Sequence, residues 1–183
     1  MAVLRSFSLA LFTVLLLAPS RAATPSEYQV KAVFLYNFSR FVEWPETAFA
    51  DPKSPFVVGV FGFDPFGPDL DEAVRGESVR GHPLVVRRVR NAAEAADCQI
   101  LFIHHSERDR LSEILAAVDK RSILTVSDMD GAAKLGVMIR FVTQSGRIRM
   151  RINADAARAA QLTISSNLLR SAEIVGSAGR EGP

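Results

Sequence analysis

The run His104-His105-Ser106 closes an apolar stretch, QILFIHHS, and Asp128 and Asp130 follow in a second polar segment, SDMDG. Histidine, serine and aspartate are the residue types of a serine hydrolase, where imidazole takes the hydroxyl proton and a carboxylate orients the imidazole. Nothing in the chain resembles the G-x-S-x-G turn that exposes such a serine, and Ser106 fits better as the cap of a helix starting at Glu107. Imidazoles also bind zinc. Neighbouring side chains at a strand end point to opposite faces, however, and His82 is the only other histidine, so the spacing offers no metal clamp. The two aspartates resemble the start of a calcium loop, but the further acidic or amide position and the late glutamate of such a loop are missing. The expectation is a turn between strands, without a metal or other cofactor.

The turn GVFGFDPFG follows a buried strand, a place where open α/β sheets bind ligands. It lacks the spaced glycines of a dinucleotide fingerprint, which makes a phosphate cradle the weaker reading. Phe63 and Asp64 of this turn, with His104 and Asp128, could line a small-ligand pocket at the carboxyl ends of the strands. Arginine is the other concentration of chemistry. Arg147, Arg149 and Arg151 alternate with Ile148, Met150 and Ile152, which puts three guanidinium groups on one face of one strand. Arg87, Arg88 and Arg90 flank another. A solvated face is one reading. A surface for an acidic protein, nucleotide or headgroup is the other, because planar guanidiniums pair with carboxylates and phosphates.

The elements that must position these groups can be read from periodicity. TPSEYQV opens a helix, with Thr24 as cap, Pro25 at the first helical position and Glu27 three residues after the cap. The helix continues through KAVFLYNFSRFVEWP, which concentrates Phe34, Tyr36, Phe38, Phe41 and Trp44, and should end before Pro45. Its apolar residues cover an arc of roughly 200°, so it is buried on more than one side. Asn37 falls within that arc and should be hydrogen-bonded internally, since an unpaired buried amide costs about 1 to 3 kcal/mol. PFVVGVFG, HPLVVRRV, QILFIHH and SILTVSD read as strands separated by short helices, and VMIRFVTQSGRIRMRIN as a hairpin turning at Gln144-Ser145-Gly146. ADAARAAQ and SSNLLRSAEIV read as closing helices. The expected fold is a single-domain three-layer α/β/α sandwich around a mixed, mostly parallel sheet of about six strands.

Arg5, the apolar run FSLALFTVLLLA and the Ser20-Arg21-Ala22 site form a secretory signal peptide over residues 1–22. That leaves an α/β domain over 23–175 and a flexible tail over 176–183. Removing Arg5 and Arg21 from the 22 basic residues balances the 20 acidic ones. A net charge of zero argues against nucleic acid as a partner, and no later segment is apolar enough to insert into a membrane. Cys98 is the only cysteine. It cannot form an intramolecular disulfide and reads as a small buried hydrophobe.

In order, YQVKAVFLYNFSRFVEWP, FVVGVFGFDPFG, GHPLVVRRV, CQILFIHHSE, ILTVSDMDGAAKLGVMIRFV and RIRMRINADAARAAQLTISSNLLRSAEIV resemble the YfiR-like family of periplasmic repressors. The resemblance covers Tyr28 to Val175. It implies a non-enzymatic periplasmic α/β protein, often a homodimer, that binds the periplasmic sensor domain of an inner-membrane diguanylate cyclase. Bound, such a repressor holds cyclic di-GMP synthesis low; released, it favours attachment and biofilm. The partner-binding face is expected at Arg147, Arg149 and Arg151. Family members pair cysteines in disulfides, so Cys98 alone leaves regulation by disulfide state without a basis here. A periplasmic small-ligand sensor, using the Phe63, Asp64, His104 and Asp128 pocket, is the alternative.

Overall fold

The computed structural model describes residues 25–176. The expected leader, and all but the first residue of the expected tail, lie outside the described residues. The first helix, α1, spans Glu27–Phe41. Its cap is Ser26: the hydroxyl accepts from the Gln29 amide at 3.1 Å and the Gln29 side chain accepts from the Ser26 amide at 2.8 Å. That reciprocal box starts the helix two residues later than a Thr24 cap would. The chain leaves α1 into a short strand, β1 (Val42–Glu43), well before Pro45.

Two strand–helix units follow: β2 (Phe56–Phe61) with α2 (Pro68–Val74), then β3 (Ser78–Val79), β4 (His82–Val89) and α3 (Ala92–Ala95). After β5 (Ile100–Ile103) come a 3-10 turn over His105–Arg110, α4 (Leu111–Ala117) and β6 (Leu124–Ser127). The hairpin pairs β7 (Ile139–Gln144) with β8 (Arg147–Asn153), and the chain ends in α5 (Ala154–Ala159), β9 (Thr163–Ile164), α6 (Ser166–Arg170) and β10 (Glu173–Val175). Ser145 and Gly146 both have positive φ, 50° and 71°. They form the two-residue turn whose twist suits a tight hairpin.

The main sheet runs β10-β8-β7-β6-β5-β2-β4-β3, with β4, β2, β5, β6 and β7 parallel. This is the layered α/β class expected, with eight strands where about six are legible. The additions are edge strands of two and three residues. β10 occupies what reads as the end of a helix: after the Ser171–Ala172 turn, Ile174 and Val175 pair with Ile152 and Asn153. Separately, β1 and β9 form a two-stranded ribbon.

Two apolar clusters hold the layers. On one face, Ala32, Leu35 and Phe38 of α1, Leu70 of α2 and Leu168 of α6 pack on Val58, Phe102, Val126 and Ile152. On the other, Ala95 of α3 and Leu111 and Ile114 of α4 pack on Val57, Phe61, Leu101 and Ile103. Gly59 is needed on this second face, because a Cβ there would lie 2.5 Å from the Cys98 Sγ. Cys98 is accordingly buried and 2% exposed, and burial pushes its thiol up to about 12. Arg140, Val142, Gln144, Arg147, Arg149 and Arg151 share that face of β7 and β8; Arg140 is buried there, whereas Gln144, Arg147 and Arg149 are exposed. Among the described residues no helix is long and apolar enough to cross a membrane.

Candidate functional site

The strand order reverses around β2: the chain goes from β2 to β4 on one side, then returns to β5 on the other. Ligands of open α/β sheets bind at such a reversal, outside the carboxyl ends of the strands. Here the carboxyl edge carries a polar crevice of about 350 Å³, set to one side of the reversal, at the ends of β5 and β6 and along β7. β7 forms one wall, because its pairing with β6 stops at Arg140–Ser127 and Phe141–Gln144 run on past the end of β6. The first turns of α1 form the opposite wall, contributing Glu27, Tyr28 and Lys31.

Lys31 and Asp128 sit at its base, with side chains 2% and 7% exposed. The Lys31 ammonium donates to Asp128 Oδ2 at 3.0 Å and lies 2.7 Å from Glu27 Oε1 one turn earlier. The Tyr28 hydroxyl donates to the same Asp128 oxygen at 2.9 Å, and the Tyr28 ring lies under the ammonium with its centroid 4.3 Å away. Burial pushes the Asp128 carboxyl up, but the Lys31 ammonium and the Tyr28 hydroxyl outweigh it and hold the group below the usual carboxylate range. The Lys31 hydrogen bond likewise lowers Glu27. Tyr28 is raised, chiefly by burial and then by its bond to Asp128. A buried charge is tolerable only when paired and hydrogen-bonded, which is the condition met at Asp128 Oδ2. It is not met everywhere: Asp128 Oδ1 and Arg140 Nε are both buried without a hydrogen-bond partner.

His104 and His105 complete this edge, though not as strand neighbours. The strand ends at Ile103, so the two rings turn together, with centroids 3.8 Å apart, rather than to opposite faces. The helix cap expected at Ser106 belongs to His104, whose Nδ1 accepts from the Ser106 amide at 3.1 Å. That bond requires an unprotonated Nδ1, and burial together with the adjacent His105 lowers the His104 pKa. His105 Nδ1 lies 3.7 Å from Asp128 Oδ1. The Ser106 hydroxyl instead faces the Phe63 amide, at 3.4 Å. Ser106 therefore closes a turn, and among the described residues its hydroxyl has no imidazole partner.

Of the four residues read as a ligand pocket, Phe63 and His104 meet, with ring centroids 5.3 Å apart, and Asp128 adjoins them through His105. Asp64 is directed elsewhere: it accepts from Arg88 Nε at 2.8 Å, and Arg88 also bonds Asp71. The turn after β2 is no anion cradle, because a Cβ at Gly62 would lie 2.6 Å from Glu107 Cγ, and a carboxylate in that position repels phosphate. Among the described residues, no three His, Cys, Asp or Glu side chains converge to hold a metal. On β8, Arg147 and Arg149 are exposed and Arg151 is bonded to Glu173 at 2.9 Å. Lys31, Tyr28 and Arg140 escape a reading based on conspicuous polar pairs. Their signal was a lysine four residues after Glu27 and three after Tyr28, within an apolar helical arc.

Asn37 departs from expectation. No hydrogen bond to its carboxamide is present among the described residues; it is half-buried beside an apolar cleft lined by Phe34, Phe38, Phe41 and Leu168.

The architecture is thus a doubly wound α/β domain with a polar crevice at its carboxyl edge and a hairpin whose second strand exposes Arg147 and Arg149. Residues 28–173 match the model of the YfiR/HmsC-like family, and the chain belongs to that family. The family is regulatory in character and associated with the periplasm. No curated protein matches the chain.

Proposed function

We propose that this chain is an exported, non-enzymatic regulator that binds the periplasmic sensor domain of an inner-membrane diguanylate cyclase and holds its output low. The observation that carries this reading is the family match over residues 28–173. Arg147 and Arg149, exposed on β8, supply a surface for an acidic partner. Such a regulator acts only through its differential affinity for the two states of the receptor. Shifting the receptor from 1:99 to 99:1 takes about a 10⁴-fold preference. In this reading residues 1–22 are the leader, 23–175 the working domain and 176–183 a tail, and a homodimer is the form that presents the surface. Pull-down of the mature chain with the cyclase's periplasmic domain should succeed, and deletion of its gene should raise cyclic di-GMP. Absence of binding together with unchanged cyclic di-GMP overturns the proposal.

The crevice supports a second reading, a small-ligand sensor. Asp128 Oδ1 and Arg140 Nε, one acceptor and one donor, both lack hydrogen-bond partners among the described residues beside it. A ligand offering the complementary pair raises the melting temperature by mass action. A flat response across a metabolite panel removes this reading.

A further inference from the structure

Two clefts meet at Met150. One, of about 160 Å³, lies between α1 and α6, with Phe34, Phe38, Phe41 and Leu168 as walls and Asn37 at its side. The other, of about 390 Å³, follows β8 and is lined by Arg149, Arg170 and Gln144. Met150 and Ser171 line both.

The second cleft exists because β10 is short. It pairs only with Arg151, Ile152 and Asn153, so Arg147 to Met150 are bonded to β7 on one side and, among the described residues, to no strand on the other. In an antiparallel pair alternate residues turn both N–H and C=O outward, so half of this four-residue stretch turns its main chain away from β7, and Arg149 and Met150 of it line the cleft. A free edge of this kind accepts an added strand. Edge charges ordinarily discourage such pairing. Arginines discourage it selectively, however, since an acidic strand is attracted where a neutral or basic one is not. Arg149 has no carboxylate partner among the described residues, and Arg170 is held only by the Asn167 side chain within its own helix. Glu173, the acid nearest this edge, is occupied by Arg151.

The first cleft supplies what an edge alone lacks, a socket for a side chain. Phe41 is 40% exposed and Val33, on the same helix, 51%. The Asn37 carboxamide beside them has no protein partner among the described residues. Its donor and acceptor are suited to a main-chain amide arriving with the side chain that fills the socket.

We infer that the free edge of β8 and the cleft between α1 and α6 form one docking surface. It takes an extended acidic segment of a partner protein, which adds to β8 and inserts one aromatic or branched aliphatic side chain beside Asn37. The chemistry is carried by the edge, the socket and the unpaired arginine, while assigning the segment to the cyclase rests on the regulatory reading above.

The test uses the mature chain labelled with ¹⁵N and an acetylated seven-residue peptide, EEVFEVE. Amide shifts should concentrate at Asn37, Phe41 and Arg147 to Met150. Replacing the peptide's Phe by Ala, or its glutamates by lysines, should abolish them. Arg149→Glu combined with Arg170→Glu should weaken binding about tenfold without moving the melting temperature, since Arg149 and Arg170 are exposed. Shifts confined to other surfaces, equal binding of the lysine peptide, or no shifts at millimolar peptide overturn the docking surface. In parallel, hydrogen exchange is measured with the cyclase's periplasmic domain. Protection of 147–150 supports both readings, and protection elsewhere removes the cyclase from this surface. Failure of the domain to bind overturns the regulatory reading, while the peptide still decides the surface.

Discussion

Lys31 is the one charge on a helix face that otherwise turns Ala32, Leu35, Phe38 and Ser39 inward, and its place depends on Asp128. Asp128→Asn keeps the shape and removes the charge, leaving the ammonium to Glu27, whose side chain is 42% exposed. Breaking a buried pair from one side costs about 3 kcal/mol, which urea unfolding would read as a lowered midpoint at constant slope. Desolvation offsets much of the attraction in such pairs, so Lys31→Met with Asp128→Leu should recover most of the loss. A double variant no better than the single one would show that the charges hold a geometry packing cannot replace. The same pair sets acid sensitivity. Asp128 and Glu27 both have folded pKa values below their ordinary 3.8 and 4.5. Their contribution is therefore complete above those unfolded values and is lost as pH falls through the lower folded ones. The melting temperature should drop between about pH 5 and pH 2, and less steeply in the Lys31→Met, Asp128→Leu variant. An identical acid limb in the two proteins would remove this pair from the account. From sequence, Asp128 could be proposed because it stands in a visible acidic turn. Lys31 could not, because its partner lies 97 positions away and only the fold brings α1 over the end of β6.

Among the elements, β2 shows how closely the sheet and its second layer fit. A methyl group at Gly59 would meet Cys98 Sγ at 2.5 Å, Leu101 Cδ1 at 3.1 Å and Val89 Cγ2 at 3.2 Å. Gly59→Ala should therefore destabilise the chain by about 2 kcal/mol through overpacking. Cys98→Ala removes the nearest atom, so the double variant should lose less than the sum of the single ones, a coupling that a double-mutant cycle measures. Strict additivity would mean that α3 shifts as a body and the sulfur is not the obstacle. Helix starts are governed more locally. Ser26→Ala should cost about 1 kcal/mol by removing the acceptor for the Gln29 amide, while a loss near zero would mean the helix can start at another cap. Threonine, serine and two candidate partners, Glu27 and Gln29, crowd the start of α1, so sequence identifies a capping box without fixing its register. The strands β2, β5 and β6 were legible because each is an unbroken apolar run, as strands covered on both faces should be. β3 and β10 were not: with two or three residues, each exists through its neighbour in the sheet and has no pattern of its own.

At the scale of the molecule, the ends of the described chain are tied together. β1, just after α1, pairs with β9 through Val42–Ile164 and Glu43–Thr163, and the Ser165 amide donates to the Phe41 carbonyl at 2.9 Å. Leu168 of α6 then closes over the α1 side of the core, and β10 adds to β8. None of this was legible from sequence, since the ribbon joins segments about 120 residues apart and local periodicity carries no information over that distance. The tie predicts that α1 and the C-terminal segment unfold with the sheet rather than before it. Trp44 is the only tryptophan. It is 7% exposed, packs edge-on against Phe56 of β2 at 4.8 Å, and donates from Nε1 to the Gln99 carbonyl at 3.1 Å. Its fluorescence therefore reports the junction of α1 with the sheet. In the chain ending at Gly176, fluorescence and far-ultraviolet circular dichroism should melt in one coincident transition. A chain ending at Leu162 loses the ribbon, the Leu168 contact and β10. Removing one large buried side chain costs about 2 to 5 kcal/mol, and at roughly 2 to 4 °C per kcal/mol for a chain of this size the midpoint should fall by about 10 °C. The fluorescence change should then precede the loss of ellipticity, because α1 is released while the parallel strands persist. An unchanged midpoint, or transitions that still coincide, would mean that α1 is held by the sheet alone and that the C-terminal segment is an appendage, free to leave when a partner takes the edge of β8.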